Sequence, residues 1–165
     1  MKRIIVGFSY GNGPLSWAIK KVLKTEYSHT YLRVGNNIYE ADLSGVVKLS
    51  KKKWDAKGGT IIKEFLVIVT DERFKQIIAF AEKHANENTP YGTDQLIWNL
   101  FDKLGLDIEN INNRTERIIC SEFIAYCLAV ELCLDPEKEN FDLIDPKEVF
   151  ELVDKIDCEN IKRIF

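Results

Sequence analysis

The sequence predicts an α+β fold in which an antiparallel sheet packs against helices, one of them buried. Three observations lead there. Two β-prone runs, Ser28 to Val34 and Ile38 to Ala41, flank Gly35-Asn36-Asn37, residue types that tolerate the positive φ of a tight hairpin turn. Between Glu72 and Asn86 the apolar residues Phe74, Ile77, Ile78, Ala81 and Ala85 recur at helical spacing. Ile118 to Leu134 is apolar on most sides, the pattern of a helix enclosed by the core.

The remaining elements follow in order. Lys2 to Phe8 is a first strand, ended by the loop Ser9-Tyr10-Gly11-Asn12-Gly13-Pro14, and Leu15, Ile19, Val22 and Leu23 then mark one face of a helix. After the hairpin, Val46 to Leu49 and Thr60 to Val69 supply strands, and Thr70-Asp71-Glu72 starts the helix to about Asn86, placing acidic side chains at its positive end. Pro90-Tyr91-Gly92 breaks the pattern before a helix over Gln95 to Leu104, bounded by Gly105. Asp107 to Arg117 is polar and Asn-rich, hence loop. Asp135-Pro136 opens a charged loop through Asn140, Asp145-Pro146 starts a short helix to Val153, and Ile161 to Phe165 adds a last strand. The sheet is expected to be built mainly from residues 29 to 69.

At 165 residues the chain is expected to form one domain over residues 1–165, large enough to bury a core without a disulfide or metal. Its 45% hydrophobic and 30% charged residues fall in the globular range, and a net charge of -3 lacks the basic footprint of a nucleic-acid binder. Lys48, Lys51-Lys52-Lys53 and Lys57 read as a solvated loop or strand end without a role. The apolar run after Met1-Lys2-Arg3 is too short for a signal peptide, and no stretch approaches the roughly 18 apolar residues that cross a bilayer. The sequence therefore reads as cytoplasmic, without stable membrane insertion. Its oligomeric state is left open. Four cysteines, at 120, 127, 133 and 158, form no CxxC pair, which suits reduced thiols and gives no sign of a structural metal or other cofactor.

Chemistry concentrates on Cys120. It follows Ile118-Ile119 and precedes Ser121-Glu122-Phe123, so it falls where a helix begins, and unpaired N–H groups there favour a thiolate and offer a donor to an oxyanion. Cys127 and Cys133 lie further along, where the dipole gives no help. His29 stands in a strand-like run and precedes the thiol in sequence. If the hairpin turn holds an even number of residues, Glu40 and Asp42 share a face with His29, Tyr31 and Arg33, and one carboxylate can orient the imidazole. A three-residue turn would put Glu40 on the opposite face. His84, near the end of an amphipathic helix among Lys83, Asn86 and Glu87, reads as solvated. Asn113-Arg114-Thr115 matches a glycosylation sequon by accident.

The runs Gly7-Phe8-Ser9, Leu15-Ser16, Tyr27-Ser28-His29, Tyr39-Glu40-Ala41, Ser44-Gly45-Val46, Tyr91-Gly92 and Ile119-Cys120-Ser121-Glu122-Phe123 resemble the circularly permuted NlpC-type papain-like hydrolases, the YiiX-like amidases. The similarity spans residues 4 to about 150. In that permuted group the histidine comes before the cysteine, as here. The resemblance implies Cys120 as nucleophile, His29 as general base and then acid, and Glu40 as the group orienting His29. Where the family often has Gly-Gly-Val after the acidic strand, this chain has Ser44-Gly45-Val46. The expected activity is hydrolysis of an amide, in a small peptide or related acyl substrate, through a thioacyl-enzyme. Tyr10, Tyr27 and Tyr91 are candidate phenols near substrate. Two other expectations compete with it. One is a thiol acyltransferase on lipid or lipidated substrate, for which the sequence shows no apolar flank near Cys120; the other is a non-catalytic binding module of the same fold.

Overall fold

The computed structural model describes residues 1–105, 117–129, 141, 144–155 and 161–163. Its elements run β1 (Lys2–Tyr10), α1 (Pro14–Leu23), β2 (His29–Val34), β3 (Asn37–Asp42), β4 (Gly45–Ser50), α2 (Lys51–Ala56), β5 (Thr60–Val69), α3 (Asp71–Asn86), α4 (Thr93–Lys103), α5 (Cys120–Leu128), α6 (Pro146–Lys155) and β6 (Ile161–Arg163). The α+β class predicted from sequence is what forms. A six-stranded sheet has the order β4-β3-β2-β1-β5-β6, and every neighbouring pair is antiparallel.

The sheet is built mainly from residues 29 to 69, as expected, with β1 and β6 added to it. β1 sits inside the sheet, paired with β2 on one side and with β5 on the other. Ile4, Val6 and Phe8 are fully buried on the face that α3, α5 and α6 cover, where they meet Leu32, Phe65, Val67, Ile77, Phe123, Ile124 and Val149. A strand buried this way is held by contacts far along the chain, which a local pattern does not report.

The opposite face carries a smaller cluster of Tyr31, Ile38 and Trp54, covered by α2. The expectation that the lysine run is loop or strand end is corrected here, because Lys51–Ala56 is helical. Ser50 caps it, accepting from the Lys53 N–H at 3.3 Å, and its one buried residue is Trp54. Six residues with a single apolar anchor are too few for periodicity to register. Gly7 lies directly under Tyr31, and a Cβ there would stand 2.0 Å from the ring. That absence of a side chain lets the phenol reach Glu64 Oε1 at 2.8 Å, beside Arg33, which pairs with both oxygens of the same buried carboxylate.

Helix boundaries shift slightly. α4 starts at Thr93 and α5 at Cys120, two residues later than predicted for the latter because Ile118 bridges to Tyr91. The predicted extension of that helix from 130 to 134, the loops at 107–116 and 135–140, the sequon, Cys133 and Cys158 lie outside the described residues. No helix among the described residues is long and apolar enough to cross a membrane.

Candidate active site

The hairpin turn decides which side chains meet. Val34 pairs with Asn37, so the turn holds two residues, Gly35 and Asn36, with Gly35 at φ 59° in the first central position where glycine is favoured. The register is therefore the even one. His29, which opens β2, places Nε2 2.9 Å from Glu40 Oε2 on β3.

Glu40 is 3% exposed and is saturated by donors. Trp54 Nε1 donates to Oε2 at 2.7 Å, sharing that oxygen with His29, while Lys57 Nζ donates to Oε1 at 2.8 Å and to Asp42 Oδ2 at 2.6 Å. Burial alone would raise the Glu40 pKa, but the bonds and charge from His29, Lys57 and Trp54 overcome it and bring it down to about 2. Asp42, the other carboxylate on the same face, is taken up by Lys57 and Ser44.

The thiol arrives from the far end of the chain. Ile118 is held between Pro90 and Gly92 by backbone bonds of 3.0 and 3.3 Å, which keeps the chain extended through Ile119 and starts the helix at Cys120. Glu122 folds back to accept the Ile119 N–H at 3.3 Å and the Gln95 amide at 3.0 Å, and Ser121 Oγ donates to the Ile144 carbonyl at 2.6 Å. The helix start is thus tied to three other segments, and α5 packs across β2 and β3.

Cys120 is 2% exposed, and His29, the Thr30 backbone N–H and Tyr91 lie near enough to act on its sulfur. With Nε2 committed to Glu40, Nδ1 is the imidazole nitrogen left for the thiol. Burial pushes the thiol up, yet the His29 charge and its bond, the Thr30 N–H and the Tyr91 hydroxyl together hold it below the ordinary value. Burial works against the His29 charge too, and the Cys120 and Glu40 anions override it, raising the imidazole to about 10. Tyr91 stays a neutral donor, its pKa raised by burial and then by the Cys120 charge. The arrangement stabilises a thiolate beside an imidazolium, a nucleophile next to a proton donor.

Two clefts meet at His29. One, of about 190 Å³, is lined by Ser9, Tyr10, Gly11, Trp54, Lys57 and the two carboxylates. The other, of about 200 Å³, is lined by Leu15, Ser16, Ile19, Ala41, Leu43 and Tyr91, among others. Cys120 lines neither. The second cleft has an apolar lining, because Leu15, Ile19 and Leu43 converge there once α1 and the β3–β4 turn are folded.

The structure brings Cys120, His29, Glu40 and Tyr91 together and sets Tyr10 at the rim of the first cleft, its ring 3.9 Å beneath the Lys20 ammonium. Tyr27 goes elsewhere. It stacks on Phe150 at 5.1 Å and meets Phe8 edge-on in the core, so it corrects the expectation of a phenol beside substrate. His84 is half-buried, with Nδ1 2.8 Å from Thr89 Oγ1 and its ring against Phe80, and this replaces the solvated reading. Sequence reasoning missed Trp54 and Lys57. The lone aromatic in the lysine run was the available signal. Among the described residues no group of three or more His, Cys, Asp or Glu is placed to hold a metal ion.

No family model and no curated protein matches the chain. Among solved structures it is similar to the metalloprotein YiiX from Escherichia coli O157:H7, with 18% sequence identity, a TM-score of 0.49 and coverage of 99% of this chain and 95% of that one.

Proposed function

We propose that the protein is a cysteine hydrolase that cleaves an amide or related acyl bond, on a papain-like fold of the permuted NlpC type. One observation carries the reading: a buried thiol at the start of α5 beside an imidazole, His29, whose Nε2 is fixed 2.9 Å from a buried carboxylate. The Cys120 thiolate attacks the carbonyl carbon. Its new C–S bond sends an electron pair to oxygen, which the Cys120 backbone N–H and the Tyr91 hydroxyl receive. As the tetrahedral centre collapses, the C–N pair leaves with nitrogen and takes a proton from His29 Nδ1. Neutral His29 then removes a proton from water, whose oxygen displaces sulfur and regenerates the thiolate.

Acyl transfer is the second reading, supported by the apolar cleft beside His29. There an amine or alcohol would replace water in the last step.

The test is the pH dependence of Cys120 alkylation by iodoacetamide, in wild type, His29→Ala and the Cys127→Ala control. The reading expects a midpoint well below about 8.5 that rises once His29 is gone and is unchanged without Cys127. A Cys120 that titrates as an ordinary thiol in all three proteins would sink it. Mass spectrometry of products from an N-acyl substrate offered with an excess amine separates hydrolysis from transfer.

A further inference from the structure

Glu40 presents two oxygens to three donors, and their distribution is uneven. His29 and Trp54 share Oε2, while Lys57 has Oε1 to itself and also reaches Asp42. A carboxylate bound by an ammonium has less negative charge to offer an imidazole. We propose that Lys57 is a positioning residue: by taking one oxygen of Glu40 it limits how strongly Glu40 stabilises the imidazolium through Nε2, and so keeps the proton on Nδ1 transferable. The inference rests on the proposed function, since a transferable proton matters only if His29 serves a leaving group.

Besides Tyr10 at the rim of the first cleft, the balance involves these charged or titratable groups around the imidazole. Glu40 and Asp42 approach from β3, Lys57 from beyond α2, Cys120 from α5 and Tyr91 from the segment before α4. The carboxylates and the thiolate all strengthen the imidazolium, and Lys57 is the cation set against them. Asp42 tempers it in turn, because each carboxylate competes for the same ammonium. The arrangement acts as a graded control, in which Asp42 and Lys57 set how much of the Glu40 charge reaches His29.

The experiment is an NMR titration of the His29 ring in Cys120→Ala and in Cys120→Ala combined with Lys57→Met, Lys57→Arg or Asp42→Asn. Removing the thiol isolates the Glu40 network. With one other histidine in the chain, His84 is the internal reference. Loss of the lysine charge is expected to raise the His29 midpoint by about one pH unit, at the low end for a contact charge because the Lys57 side chain is 43% exposed. Lys57→Arg should stay near the parent. Asp42→Asn should move the midpoint downward, since it both frees Lys57 for Glu40 and removes an anion from the cleft. A purely structural role would not produce shifts of opposite sign. The proposal is overturned if Lys57→Met leaves the midpoint unchanged or lowers it, if Lys57→Arg shifts as far as Lys57→Met, or if Asp42→Asn raises it. Failure of the alkylation test would remove the proposed function and leave this measurement of Lys57 standing.

Discussion

Glu40→Gln isolates the charge that organises the site. The amide is nearly the size of the carboxylate, but its NH₂ must face either Lys57 or the His29–Trp54 pair, donor against donor. In the folded protein Glu40 titrates at about 2 against an ordinary 4.5. A depressed carboxylate contributes stability that is fully present above the unfolded value, and the contribution fades as pH falls from 4.5 towards 2. That difference is worth about 3 kcal/mol, at roughly 1.4 kcal/mol for each tenfold in affinity. The same ion pair appears in the raised imidazole, so the His29 contribution is not added again. Urea unfolding reads the effect. At a slope of about 2 kcal/mol per molar, the variant midpoint near neutral pH should fall by about 1–2 M, and the gap to wild type should close as pH drops from 4.5 to 2. A gap that stays constant across that acid window would refute the reasoning, because it would arise from shape rather than charge.

Three further outcomes are expected. Tyr91→Phe removes a donor to the Cys120 sulfur, so the alkylation midpoint should rise and the rate near neutral pH should fall several-fold; an unchanged pH profile would take Tyr91 out of the site. Gly7→Ala puts a methyl group 2.0 Å from the Tyr31 ring and should cost about 3 kcal/mol, seen as a lowered melting temperature. Tyr31→Phe deletes the 2.8 Å bond to Glu64 but leaves Arg33 paired with that buried carboxylate, so calorimetry should show a smaller loss, about 1–2 kcal/mol.

The parts of the site that local chemistry dictates were legible. Gly35-Asn36-Asn37 signals a hairpin but leaves its register open between two turn lengths; the two-residue turn that forms puts His29 and Glu40 on one face. Cys120 reads as a helix start because Ile118-Ile119 precede it and Ser121-Glu122 and a run of apolar helix formers follow. What escaped notice depends on long-range closure. Tyr27 and Tyr91 are equivalent as isolated phenols; the bridge from Tyr91 to Ile118 sends one to the thiol, and the edge-on pair of Phe8 and Phe150 draws the other into the core. Trp54 belongs to a six-residue helix whose polar sequence hides its single buried anchor, and Lys57 follows directly at its C-terminal cap. The central place of β1 is likewise set by partners on both sides, β2 and β5.

The site exposes its imidazole while hiding its thiol: His29 borders both clefts, and Cys120, at 2% exposure, borders neither. Attack on the thiol is consequently filtered by the girth of the electrophile as well as by its reactivity. Slim haloacetamides should label Cys120, whereas bulky aromatic disulfides or oxidised glutathione should be turned away despite the thiolate's nucleophilicity. The same filter separates acid strength from vulnerability, leaving a thiolate that persists in oxidising conditions that convert an open one to sulfenic acid or a mixed disulfide. Covalent ligands for this protein therefore need a narrow warhead carried past the imidazole, with their recognition elements placed in the clefts on either side.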